Sequence, residues 1–162
     1  MSRPVIAVYP GTFDPITLGH EDIARRAREL FDEVIIAVAI AHHKKTLFTL
    51  EERLEMAQTS ARQWPGVRAE PFEGLISHFV QAKGGKAMVR GLRAVTDFDY
   101  EFQLAGMAPE VETVFLTPGT RYQFVSSTFV REIALLGGDA EQFVAPHVWQ
   151  RLLEKRRSSA KP

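Results

Sequence analysis

Glu33-Val34-Ile35-Ile36-Ala37-Val38-Ala39-Ile40 is an unbroken apolar run rich in β-branched residues. Such a strand offers no polar face to water, so both of its faces must be covered. That requirement favours a parallel sheet flanked by helices over an open antiparallel one. Val5–Tyr9, Val67–Phe72, Lys86–Val89 and Glu112–Thr117 are further candidate strands, and segments of helical periodicity separate them. From Leu18 onward, Ile23, Ala27, Leu30 and Phe31 fall at helical spacing, with Glu21, Asp22, Arg25, Arg26 and Glu29 opposite. Thr17 is a candidate N-cap, which places His20 in the first turn. Thr49-Leu50-Glu51-Glu52 reads as the capping box of a second helix that Trp64-Pro65-Gly66 stops. Leu75–Ala82 is a short helix ended by Gly84-Gly85. Asp97 is expected to cap a helix with Phe98, Phe102 and Ala105 on one face. Ser126-Ser127-Thr128 opens another through Leu136, and Pro146 starts a last one through Leu153, before a basic Lys155–Pro162 tail expected to fray.

Five strands alternating with helices predict an α/β chain: a Rossmann-like, doubly wound, five-stranded parallel sheet with helices on both faces and a C-terminal helical extension. No internal repeat, low-complexity block or linker interrupts the 162 residues, so a single domain over 1–162 is expected. Basic and acidic side chains balance at 20 each, which gives no electrostatic argument for nucleic acid or an anionic membrane. The absence of cysteine excludes disulfides and thiolate metal sites. No apolar run approaches membrane-spanning length and the N-terminus lacks a signal-peptide layout, so a cytoplasmic protein is the expectation.

In a parallel sheet the loops that follow the strands gather at one edge, where ligands of open α/β sheets bind. Here those loops carry Thr12 to His20, the His42–Lys45 cluster, Gly74-Leu75, Arg90 to Arg93, and Tyr122 to Thr128. A lone histidine in a first helical turn is more often merely exposed, but Gly19 before it lets a ligand approach the backbone. His42 and His43 carry little weight in a solvated loop, and Lys44-Lys45 taken alone reads as a solvated pair. Arg90 and Arg93 would repel each other around Gly91 unless an anion lies between them, and guanidinium forks suit phosphate. Three hydroxyls at Ser126-Ser127-Thr128, ahead of free helix N–H groups, exceed what a simple cap needs and suit a phosphate cradle. His78 and His147, inside helices, read as structural. No nucleophile with an evident base, metal-ligand cluster, P-loop or Gly-x-Gly-x-x-Gly is present. Such a site fits phosphoryl or nucleotidyl transfer by positioning and charge stabilisation.

Thr17-Leu18-Gly19-His20 resembles the Thr/His-x-Gly-His signature of the nucleotidylyltransferase superfamily, and Val125-Ser126-Ser127-Thr128-Phe129-Val130-Arg131 its second signature, Ile-Ser-Ser-Thr-x-x-Arg. The blocks Tyr9–Thr17, Phe48–Arg53 and Arg90–Glu101 are similar to those of bacterial phosphopantetheine adenylyltransferases, and the likeness runs from about Val5 to the last helix. The resemblance implies an enzyme that joins ATP to 4′-phosphopantetheine, giving dephospho-coenzyme A and pyrophosphate with Mg2+, assembled as a hexameric dimer of trimers. Coenzyme A would be a product-like feedback ligand. It further implies His20, Lys44 and Arg93 as catalytic groups. Thr12, Phe13, His20, Gly91, Leu92, Arg93 and Glu101 would bind ATP together with Tyr122, Gln123, Phe124, Val125, Ser126, Ser127 and Thr128. Thr12, Lys44, Ile76 and Arg90 would take the acceptor. No protein metal ligand is implied; the ion would be held by phosphates and water.

One departure bears on the acceptor. After Met107 the family continues with a short polar segment beginning Asn-Arg, whereas here Ala108-Pro109-Glu110 follows directly, about four residues shorter. A related transferase with another phosphorylated acceptor would share both signatures but lack the Arg90–Glu101 block. A non-catalytic nucleotide or coenzyme A sensor would have lost His20 or Lys44.

Overall fold

A computed structural model describes residues 2–42 and 44–160, without the side chains of residues 95 and 96. Five strands, β1 (Ile6–Gly11), β2 (Glu33–Ala39), β3 (Val67–Phe72), β4 (Ala87–Gly91) and β5 (Glu112–Leu116), form one sheet in the order β3-β2-β1-β4-β5. Every neighbouring pair is parallel. Helices α1 (Leu18–Leu30), α2 (Leu50–Ala61), α3 (Ile76–Ala82), α4 (Val95–Met107), α5 (Ser127–Leu135) and α6 (Pro146–Ser159) connect or follow them.

The strands bury both faces by simple alternation. Ala7 and Tyr9 of β1, with Val34, Ile36 and Val38 of β2, enter the larger core beneath α1, α2, α5 and α6. Val8, Ile35 and Ala37 point the other way, into a smaller cluster with Val80 of α3 and Met88 of β4. The apolar continuity of Glu33–Ile40 is therefore what the two-sided environment requires.

Several boundaries differ from the sequence reading, each for a local reason. Asp97 lies in the first turn of α4, where its Oδ2 accepts from the Arg93 backbone N–H at 3.1 Å; Ala94 occupies the cap. Phe98 and Phe102 do share a face, with rings 5.6 Å apart, but both are exposed. The last helix runs past Leu153 to Ser159. Lys155 bonds Glu52 at 3.0 Å, and Arg156 donates to the Ala134 and Gly138 carbonyls, so basic side chains anchor this end of the chain. Residues 161 and 162 of the expected tail lie outside the described residues.

Candidate active site

Strand order reverses between β1 and β4: α1 leads from β1 to β2 on one side, and α4 leads from β4 to β5 on the other. The segments leaving these two strands part and open a crevice at the sheet's carboxyl edge. A cleft of about 280 Å³ lies there, lined from β1 through Tyr9, Gly11 and Phe13, from α1 through Thr17, Gly19, His20 and Ile23, and from β4 through Arg90, Gly91 and Arg93. Pro118, Tyr122, Val125, Ser126, Ser127 and Thr128 close its far side. Its lining holds one imidazole and two guanidiniums and no carboxylate.

His20 is built into the helix start. Thr17 caps α1, its Oγ1 accepting from the His20 backbone N–H at 3.3 Å, while the Thr17 backbone N–H donates to His20 Nδ1 at 3.0 Å. A backbone N–H can only donate, so Nδ1 carries the lone pair and the ring proton sits on Nε2. Burial, reinforced by the Arg93 charge, lowers the His20 pKa to about 4. At neutral pH the ring is a neutral N–H donor whose orientation the helix fixes. Phe13, in the left-handed region at φ 51°, stacks edge-on against it at 5.0 Å.

The second signature forms the opposite helix start. Ser126 caps α5 by accepting from Phe129 N–H at 3.1 Å, and Ser127 Oγ donates to the Pro15 carbonyl at 2.8 Å. Of the three hydroxyls, one caps and one ties α5 to the α1 loop, while all three residues face the cleft. Arg93 crosses between the two sides, donating to the Val125 carbonyl at 3.3 Å and lying 3.5 Å from Asp97.

The anion expected between Arg90 and Arg93 is already present beside Arg90, and it belongs to the chain. Glu101 takes the Arg90 Nε and Nη2 protons, both at 2.7 Å. Arg90 also lines a second cavity of about 300 Å³, mostly apolar, with Ile76, Glu101 and Leu104 among its walls. Glu101 and Ile76 thus stand around this cavity and not the cleft. Thr12, Leu92, Gln123 and Phe124 flank the cleft residues in sequence without lining it, and Phe124 is 88% exposed. Lys44 is exposed in the loop between β2 and α2, where His42 pairs with Glu73 at 2.9 Å; His43 lies outside the described residues.

Sequence reasoning missed the groups that hold these loops. Arg53, almost fully buried, donates to the Phe48, Thr12 and Ala39 carbonyls. The Asp14 carboxylate accepts from the Leu47 and Phe48 N–H groups, and Arg131 donates to the Asp14 carbonyl at 2.6 Å. Arg53, Asp14 and Arg131 all stood inside motif blocks, but without a role. Their partners are remote in sequence, so nothing local marked the bonds. Among the described residues no three His, Asp or Glu side chains converge as a metal cage.

Residues 8–133 match the Cytidylyltransferase-like family. The chain is 68% identical to a phosphopantetheine adenylyltransferase of Acidovorax sp. (strain JS42), covering 93% of this chain and 94% of that one. It is 57% identical to the phosphopantetheine adenylyltransferase of Ralstonia pickettii, over 93% of each. Its fold is similar to that of Plasmodium falciparum nicotinic acid mononucleotide adenylyltransferase, with a TM-score of 0.72 at 13% identity over 98% of this chain and 99% of that one.

Proposed function

The chain belongs to the phosphopantetheine adenylyltransferases, and from that membership we propose how its residues carry out adenylyl transfer from ATP to 4′-phosphopantetheine in coenzyme A biosynthesis. The observation that carries the reading is the meeting of two helix starts, α1 and α5, with His20 and Arg93 around one cleft free of carboxylates.

The ATP phosphates lie between the two helix N-termini, whose free N–H groups and dipoles favour anions. The acceptor's phosphate, already an anion, attacks the α-phosphorus in line, and pyrophosphate leaves. No general base is needed. His20 Nε2–H donates to the non-bridging oxygens on which charge builds, and its neutrality means that no proton is lost to them. Arg93 supplies a fixed positive charge across the same space. The adenosine end is placed along Gly91, Tyr122 and the Val125–Thr128 turn. Thr12, Phe13 and Lys44 approach the phosphates from the loops after β1 and β2, with Leu92, Gln123 and Phe124 giving backbone to the nucleotide. Arg90 takes the acceptor phosphate, and Ile76 lines the cavity for its arm. Product dephospho-coenzyme A, and coenzyme A as a feedback ligand, would occupy the same two spaces.

Mg2+ is proposed as an ion that arrives with the ATP phosphates. The cleft lining offers it no carboxylate, so no step is assigned to it. A cytoplasmic setting and a hexamer built as a dimer of trimers complete the proposal. The family supports it. No helix of the described residues is long and apolar enough to cross a membrane.

Pyrophosphate release with ATP, Mg2+ and 4′-phosphopantetheine tests the reading, beside reactions offering other phosphorylated acceptors. Release with phosphopantetheine alone is expected. His20→Ala removes a transition-state donor of a kind usually contributing about 2.7–4 kcal/mol, so turnover should fall by on the order of a hundredfold or more. Release only with another acceptor would keep the chemistry and move the specificity to the shortened segment after Met107. No release with any acceptor while ATP still binds would favour a sensor.

A further inference from the structure

Asp22 follows His20 by two residues on α1 and stands outside the cleft lining. Its side chain is 10% exposed and pairs with two arginines of its own helix, Arg25 at 3.1 Å and Arg26 at 3.2 Å. Such pairs at helical spacing are ordinary and contribute little. A third bond is not local. Asp22 Oδ2 accepts from the backbone N–H of Gly119 at 3.1 Å, and beside it Arg26 donates to the Thr117 carbonyl at 2.6 Å. One face of α1 thus holds both ends of the turn that leaves β5. From there the bonding continues around the far side of the cleft. The Gly119 carbonyl accepts from Tyr122 N–H at 2.8 Å, the Tyr122 carbonyl from Val125 N–H at 3.1 Å, and the Val125 carbonyl from Arg93 at 3.3 Å. Tyr122 also sits against the start of α1, its Cβ 3.6 Å from where a Cβ on Gly19 would stand.

We propose that Asp22 is a positioning residue for the nucleoside end of ATP: its bond to Gly119 seats the Gly119–Val125 turn against α1. Tyr122 and Val125 then meet the adenosine in fixed register with His20 at the phosphates, because one helix carries both Asp22 and His20. The inference deepens the adenosine placement given above and rests on it. An ionised carboxylate facing the triphosphate would repel it, but this one lies behind the wall, where Gly119 and Arg26 both donate to its Oδ2. Without that acceptor the Gly119 N–H loses its partner, and the turn keeps its internal bonds while losing its seat on α1. The wall could then shift as a unit relative to His20, and a misplacement of about 1 Å in a binding group can cost as much as a hundredfold.

Calorimetric titration of a non-hydrolysable ATP analogue and, separately, of inorganic tripolyphosphate into wild type, Asp22→Ala and Asp22→Asn decides the matter. Wild type should bind the analogue more tightly than tripolyphosphate, by the contribution of the adenosine. Asp22→Ala should weaken the analogue by about tenfold or more and leave tripolyphosphate within about twofold. Intact tripolyphosphate binding also reports that the variant is folded. Asp22→Asn loses the charge but keeps an oxygen for the Gly119 N–H, so it should bind the analogue within about twofold of wild type. Equal loss of both ligands in Asp22→Ala would make Asp22 a residue of the phosphate site or of folding and overturn the proposal. Unchanged analogue binding in Asp22→Ala would overturn it too, as would Asp22→Asn as weak as Asp22→Ala. A wild type that binds the analogue no better than tripolyphosphate would overturn the adenosine placement, and this inference with it.

Discussion

The third position of a capping box is usually Glu or Gln, whose side chain reaches back to the N-cap N–H. In α1 that position is His20, so one imidazole closes the helix start with Nδ1 and presents Nε2–H to the cleft. The sign of its titration follows. Its folded pKa of about 4 lies below the reference 6.5, so between those values the unfolded chain binds the proton more readily. Stability due to this group is therefore present above 6.5 and is lost as pH falls toward 4. In the free protein, nitrogen NMR of the His20 ring should show the Nε2–H tautomer down to about pH 5, and an imidazolium at pH 6 would refute the assignment. Glu21, the next residue, has the opposite sign. It is buried, accepts from Gln63 at 2.8 Å, leaves its other oxygen without a partner, and has a pKa raised by desolvation. The folded state is penalised while this carboxyl is charged, so Glu21→Gln should raise the urea midpoint at neutral pH, and the gain should shrink as pH falls toward 4. Gly19 separates fold from ligand. A Cβ there would meet only ordinary contacts, the closest Thr17 Oγ1 at 3.5 Å. Gly19→Ala should keep its melting temperature while ATP binding weakens, and unchanged binding would show that no ligand approaches that backbone.

At the scale of elements, the loops at the carboxyl edge depend on one arginine of α2. Arg53 joins the end of β1, the end of β2 and the start of α2 through three carbonyls, at 2.8, 2.8 and 3.2 Å. Removing it leaves three buried acceptors to find new partners, and bonds to charged groups are worth about 1.5–3 kcal/mol each. Arg53→Ala should lower unfolding free energy by about 3 kcal/mol or more, read from a lower urea midpoint at unchanged slope. Such bonds show where the sequence could be read and where it could not. β3 occupies Val67–Phe72 as periodicity alone suggests, and the two helix starts at the cleft follow from Thr17 and Ser126 as local caps. Local chemistry decides those features, so it is visible in a short window. Arg90 finds Glu101 eleven residues on, across a loop and a helical turn, and Arg156 finds the carbonyls behind α5. Neither pairing leaves a periodic trace, which is why Arg90 read as half of a cation pair awaiting an external anion, and the end of the last helix as a frayed tail.

At the scale of the molecule, the unfinished surface is as informative as the core. Large apolar side chains stand in water along α4, including Phe98, Tyr100, Phe102 and Met107, the last 84% exposed. A second set belongs to α5 and its approach: Phe124, Phe129 and Leu136, the first 88% and the last 81% exposed. Single exposed apolar residues are ordinary, but two sets, one along α4 and one on α5 and its approach, suit burial against further copies of the chain. A dimer of trimers likewise needs more than one contact surface per subunit, a heterologous one around the three-fold axis and a self-contacting one at the two-fold. Sedimentation equilibrium should therefore give a mass near six times the 18.2-kDa chain. Phe102→Lys, on α4 and away from the cleft lining, should break one of the two contacts and leave a smaller closed species, with ATP binding retained. Dimers would place α4 in the three-fold contact and trimers would place it in the two-fold contact. A monomeric wild type would show instead that these side chains are open to water in the working enzyme.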